Sequence, residues 1–168
     1  KCGATPNTPD TSRHMAQGLS APGPVLPAGQ AEIMLKSITP EMVKGYNEAP
    51  ENVQNAVKAC AEKGGISVGT AALFASIESQ FNPNAVNYRS TDPKVTDPYL
   101  HPGPGRVMNA AGLYQQVGSN WKDYGVGAAT GDLKTDPRFD PMNSGIAAGK
   151  SYAKAAKDLG PMTPVDVY

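Results

Sequence analysis

The chain has 168 residues, enough for one domain with a real core and too few for two of ordinary size. Its 15 Lys and Arg balance its 15 Asp and Glu, so the formal charge is zero and strong attraction to nucleic acid or to an acidic membrane is not expected. Two cysteines, Cys2 and Cys60, make neither a disulfide framework nor a metal cluster, and no apolar run approaches the roughly 20 residues of a bilayer span.

Residues 1–30 are rich in Pro, Gly, Thr and Ser without apolar periodicity, and read as a flexible tail or linker. The first residue is Lys and no charged-then-apolar leader follows, which suggests a processed or excised piece. Residues 31–48 hold a short apolar set (Ile33, Met34, Leu35, Ile38, Met42, Val43) around Thr39-Pro40, expected as one or two helical turns leading into the domain. The domain proper is read as 49–168. Pro50 suits the first turn of a helix, where its missing N–H has no partner anyway. Val53, Val57, Cys60 and Ala61 then fall on one stripe, with Cys60 as a small buried hydrophobe, and Gly64-Gly65 stops the helix.

Ser67 is a cap for a second helix through about Gln80, in which Val68, Ala71, Ala72 and Ala75 make one face and Phe74 and Ile77 widen it. Asn82-Pro83 is read as its end. Residues 88–108 carry Pro93, Pro98, Pro102 and Pro104 with Gly103 and Gly105, and read as a long loop. A short helical piece is expected at 110–116, then Ser119 as cap for a turn of helix over 120–124, then a connection over 125–139. The last helix opens at Asp140-Pro141 and closes at Gly160-Pro161, with Gly145, Ala148, Gly149, Tyr152, Ala156 and Leu159 on one face. Strand-like alternation is nearly absent, so a mainly α domain with long loops and little sheet is expected.

Glu78 ends the apolar second helix. Held against hydrocarbon, its carboxyl would keep a proton to higher pH, as a general acid for glycoside cleavage requires. Taken alone, such a glutamate is more often on the solvated side of its helix. His14 and His101 support no His-based triad and no zinc site. Asp92, Asp97, Asp132, Asp136 and Asp140 sit beside Pro or Gly and read as turn caps, and Asp123 completes the set from which a second carboxylate would have to come. Gly103-Pro104-Gly105 is no phosphate loop, and Trp121, with Tyr124 nearby, reads as core before it reads as a sugar-stacking platform. No metal and no cofactor are implied.

The segment Glu78-Ser79-Gln80-Phe81-Asn82-Pro83-Asn84-Ala85, followed by Gly112-Leu113-Tyr114-Gln115 and by Gly149-Lys150-Ser151-Tyr152-Ala153, resembles the soluble lytic transglycosylase family. That family's signature runs Glu-Ser-x-(Phe/Trp)-(Asn/Asp)-Pro-x-Ala, then Gly-Leu-Met-Gln, then a helix bearing a tyrosine. The resemblance covers about Val53 to Leu159 and implies a lysozyme-like fold. It implies that Glu78 protonates the glycosidic oxygen between N-acetylmuramic acid and N-acetylglucosamine. The same residue then acts as base on the muramyl 6-hydroxyl, giving a 1,6-anhydro product. Gln115 would line the sugar groove, Tyr152 would orient Glu78, Tyr114 stands where the family has Met, and Asn87 lies where relatives often place a serine that contacts the acetamido group.

Two departures stand out. About twenty residues separate blocks that are usually closer, and the family's later Ala-Tyr-Asn-x-Gly block is absent, the chain stopping at Val165-Asp166-Val167-Tyr168 where it should begin. The domain is therefore expected to be incomplete at its C-terminal end. The function so implied is a peptidoglycan lytic transglycosylase, acting in a virion or the bacterial envelope (periplasm) for local wall penetration. Expected partners are glycan strands and other proteins of a phage virion used in genome ejection or of a secretion apparatus. The rival is a structural or glycan-binding component that kept the fold and lost useful activity; a third reading is a hydrolysing muramidase that uses one of the aspartates.

Overall fold

The computed structural model describes residues 38–97 and 100–159. The tail over 1–30, the lead-in up to residue 37 and the C-terminal stretch from residue 160 therefore lie outside the described residues, as does Cys2.

Five helices and a small sheet make up the described chain. Helix α1 (Pro40–Glu48) opens at Thr39, whose Oγ1 accepts the Met42 N–H at 3.2 Å, with Pro40 in the first turn. It is a full two and a half turns, and it buries Met42 and Tyr46 in the same core as the helices that follow. Helix α2 (Glu51–Gly64) follows Pro50 and ends at Gly65, left-handed at φ +62°, with the Gly65 N–H turned back to Ala61 and Glu62. The expected stripe is buried: Val53, Val57, Cys60 and Ala61, joined by Ala56.

Helix α3 (Val68–Ser79) begins at Ser67, whose Oγ accepts the Thr70 N–H at 3.0 Å. It ends at Ser79, within a residue of the expected end, where Gln80 and Phe81 take left-handed conformations (φ +52° and +61°) in succession. Two such residues in a row are costly without glycine. What holds them is the burial of Phe81, whose ring meets Tyr46 at 6.1 Å between centroids. Ile77 was expected on the packed face and is instead 50% exposed, since the last turn of α3 emerges from the core.

Helix α5 (Pro141–Leu159) starts where Asp140 accepts the Asn143 N–H at 2.8 Å and runs along α2. Gly145 and Gly149 let the two backbones nearly touch. A Cβ on Gly145 would lie 2.2 Å from the Ala56 carbonyl oxygen, and one on Gly149 2.6 Å from that of Cys60. Close helix packing of this kind needs small residues at the crossing.

The stretch 88–108, expected as a loop, contains a β-hairpin. Strand β1 (Val86–Ser90) pairs antiparallel with β2 (Arg106–Ala111), from Val86 opposite Ala111 to Ser90 opposite Arg106, with a bulge between Asn87 and Tyr88. Strand β3 (Gln116–Val117) adds to β2, giving the order β1-β2-β3. Residues 110–116 are thus the end of β2, a turn and the start of β3, not a helical piece. The strands escaped the sequence pattern because the bulge breaks the register and β2 lacks a clean alternation of buried and exposed positions. Helix α4 (Gly118–Tyr124) follows directly, with Val117 at its N-cap and no side-chain cap, so Ser119 does not serve as one. The architecture is mainly α with little sheet, as a lysozyme-like domain requires. Among the described residues no helix is long and apolar enough to cross a membrane.

Candidate active site

The site is built where the exposed last turn of α3 meets the turn joining β2 to β3. Ser79 fastens the two together. Its Oγ donates to the Leu113 carbonyl oxygen at 2.7 Å, 34 positions away in the chain, and lies 3.2 Å from the Ala75 carbonyl oxygen of its own helix. The turn itself requires Gly112 at φ +85°, because a Cβ there would lie 2.0 Å from the Arg138 carbonyl oxygen. Gln115 closes it in a left-handed conformation (φ +46°), and its Nε2 donates to the carbonyl oxygens of Ala85 and Gly112, each at 2.9 Å. Those bonds fix the side chain and leave Oε1 as the part of the amide that can turn to a ligand.

Glu78, half-buried in the last turn of α3, stands between two cavities. One, of about 500 Å³, is lined by Glu78, Tyr114, Gln115 and Tyr152 together with Asn120 and Asp123. The other, of about 460 Å³, is lined by Glu78, Gln115, Asn87 and His101 among others. Glu78 and Gln115 border both, so the two cavities form one groove that passes over them. Four of the five residues singled out from the sequence meet in the first cavity, and Asn87 borders the second beside the same glutamate.

The two tyrosines differ in what they offer. Tyr114 is buried, and its hydroxyl donates to the Ala71 carbonyl oxygen at 2.9 Å while in contact with the Cys60 thiol. Its phenol is thereby a core group, pushed above its ordinary pKa by burial and then by Cys60 and Tyr152. Burial also pushes the Cys60 thiol up to about 12, which suits the small buried hydrophobe expected there. Tyr152, from the middle of α5, packs its ring edge-on to Phe74 at 4.9 Å and to Tyr114 at 6.3 Å. The small-residue face of α5 brings it to the cleft.

Other candidates separate on geometry. Trp121 is 1% exposed and donates its Nε1–H to the Gly127 carbonyl oxygen at 3.1 Å, so it is core. Asp92, Asp132 and Asp140 accept backbone N–H groups of their own turns, as their neighbours suggested. Asp136 does more, forming a buried pair with Arg138 at 2.9 Å. Burial alone would raise its carboxyl pKa, but the Arg138 guanidinium and the N–H groups of Gly131 and Arg138 hold it below its ordinary value. Arg138 in turn donates Nη1–H to the carbonyl oxygens of Asn109 and Gln116, each at 2.9 Å, tying β2 and β3 to the body. Nothing in the sequence pattern marked that pair.

A second group missed from sequence is the amide chain in the cleft wall. Buried Gln116 accepts from Asn120 Nδ2 through its Oε1, and Asn120 reaches Ser151 Oγ on α5. These residues belong to three elements, so no spacing along the chain could join them. Among the described residues no group of His, Cys, Asp and Glu is arranged to hold a metal ion.

Comparison with known proteins gives one result. The family model described as Transglycosylase SLT domain matches residues 55–160, which take in Glu78, the 112–115 turn and Tyr152. Neither curated proteins nor solved structures yield a match. The matched segment is more than half the chain and holds all the described residues that line the two cavities around Glu78, and this chain therefore belongs to the soluble lytic transglycosylase domain family, whose substrate is peptidoglycan.

Proposed function

We propose that the groove cleaves the β-1,4 bond between N-acetylmuramic acid and N-acetylglucosamine with Glu78 as its single catalytic carboxyl. The observation that carries this reading is the position of Glu78, half-buried at the point where the two cavities join, with Gln115 bordering both. A glycan strand lying along the groove would present a linkage there. In the first step the Glu78 proton passes to the glycosidic oxygen as the C1–O bond breaks, with the acetamido group stabilising the anomeric carbon. In the second, the muramyl 6-hydroxyl adds to C1 and gives its proton back to Glu78. No water is consumed, and the product is a 1,6-anhydro sugar. Gln115 Oε1 and Asn87 would hold sugar hydroxyl and amide groups on either side, and the Tyr152 phenol would orient the carboxyl. Tyr114 supports the wall through its bond to Ala71 and has no hydroxyl to spare for sugar.

We place this activity in local opening of the wall by an envelope-penetrating assembly, a phage virion before a secretion apparatus. The Pro/Gly-rich residues 1–30 support that reading as a linker composition. The test is product analysis on purified peptidoglycan. The intact chain should release anhydro-muropeptides, and Glu78→Gln should lower release by about 10²–10⁴-fold, the usual contribution of a positioned acid. Reducing-end products that vanish in Asp123→Asn would identify a hydrolase instead, and binding without release would identify a glycan-binding component.

A further inference from the structure

A third cavity, of about 520 Å³, adjoins the cleft and shares Val117 and Ser119 with it. Its walls come from β1, β2, the start of α4 and the 129–131 turn, and its charged lining groups are Arg89 and Arg138. Among the described residues no Asp or Glu borders it. Arg138 is compensated, since Nε and Nη2 donate to the two carboxylate oxygens of Asp136 at 2.9 Å each. Arg89 is different. It lies on the exposed side of β1, and among the described residues no carboxylate lies within ion-pair distance of it.

The charge of the groove is therefore divided. Among the described residues the cleft carries Glu78 and Asp123 with no cation on its walls, and the adjoining cavity carries one guanidinium without a carboxylate partner over a floor stiffened by a buried ion pair. Peptidoglycan has the same division: its sugar strand is neutral at each linkage once the lactyl group is amidated, and its free carboxylates are on the peptide stems. A planar guanidinium takes a carboxylate through two parallel N–H bonds.

Resting on the reading of the cleft as the glycan site, we propose that the Arg89 cavity receives a carboxylate of the peptide stem carried by the strand in the cleft. Asn109 and Ser119, which border the same cavity, supply neutral hydrogen-bonding groups for the peptide's amides. The chain thus reads stem as well as sugar, and prefers strands that still carry stems.

The experiment compares two substrates, glycan strands with their stems and the same strands after their stem carboxylates have been capped as methylamides, on the full chain and on Arg89→Glu and Arg89→Lys. Charge reversal should raise KM for strands with free stem carboxylates about 10-fold, leave kcat unchanged, and leave capped strands unaffected. Lysine should recover part of the loss, and the difference should shrink with added salt. Equal losses on both substrates, or no loss on either, would overturn the proposal. If no chain cleaves either substrate, the cleavage reading fails by itself. Calorimetric binding of a soluble stem-bearing muropeptide and of the same muropeptide with its stem carboxylates capped as methylamides then decides the Arg89 site: weaker binding of the first alone in Arg89→Glu supports it, and any other pattern overturns it.

Discussion

Between α2 and α5 the backbones nearly touch over small and apolar residues, whereas between the end of α3 and the sheet the contacts are made largely by hydrogen bonds. In the first region Gly145 and Gly149 sit against the carbonyls of Ala56 and Cys60, and the surroundings are apolar. In the second, Ser79 reaches Leu113, Gln115 reaches Ala85, and Arg138 reaches Asn109 and Gln116. Apolar packing is strong but tolerant of small shifts in direction; hydrogen bonds contribute less each and specify geometry. The helical region therefore supplies most of the stability, and the polar region sets where Glu78 stands relative to Gln115.

The largest expected effect comes from filling the close crossing. Gly145→Val should cost more than about 3 kcal/mol and abolish the cooperative thermal transition, because backbone rather than a mobile side chain blocks the new atoms. Fold and activity should then fail together. Arg138→Ala comes next, leaving Asp136 buried and unpaired, and a loss of about 3–5 kcal/mol is expected in urea unfolding. Gln115→Ala separates the two regions most sharply. Its stability should fall by only about 1–2 kcal/mol, yet glycan cleavage should drop by about 10²-fold as the turn loses its hold on Ala85. A Gln115→Ala chain with full activity would show that the polar region does not position the site.

A smaller effect should follow pH. Asp136 is held below its ordinary pKa in the fold, so its contribution is present above the unfolded value of about 3.9 and is lost as pH falls through the lower folded value. Acid unfolding curves should steepen in that window, and the paired replacement Asp136→Leu with Arg138→Met should flatten it. The smallest change concerns Cys60, whose thiol pKa of about 12 and burial should keep it unalkylated at pH 8 until the helical region opens. Peptide-level mass spectrometry would report it, and labelling in the native state would mean that α2 and α5 separate far more readily than their packing implies.

Much of the helical region was readable in order along the chain. Pro50, Gly64-Gly65, Ser67 and Asp140-Pro141 act on neighbours within four residues, and each lies at a helix boundary. The catalytic candidates Glu78, Gln115 and Tyr152 were legible for a different reason, as fragments of a family signature, although each lies 37 positions from the next. The hairpin was not legible. Its strands are short and bulged and carry prolines between them, so neither period stands out.

What the amino-acid order determined alone was therefore local: which segments coil, where they stop, and which residue types could bring acid–base chemistry to a sugar. Only tertiary structure decided that Gln80 and Phe81 would bear left-handed backbone, that Tyr114 would point inward to Ala71, and that Asn120, Gln116 and Ser151 would share a wall. The physical reason is range. Caps and turns act over a few bonds, while a groove is the residue of distant surfaces meeting, and its shape exists only once the core beneath it has packed.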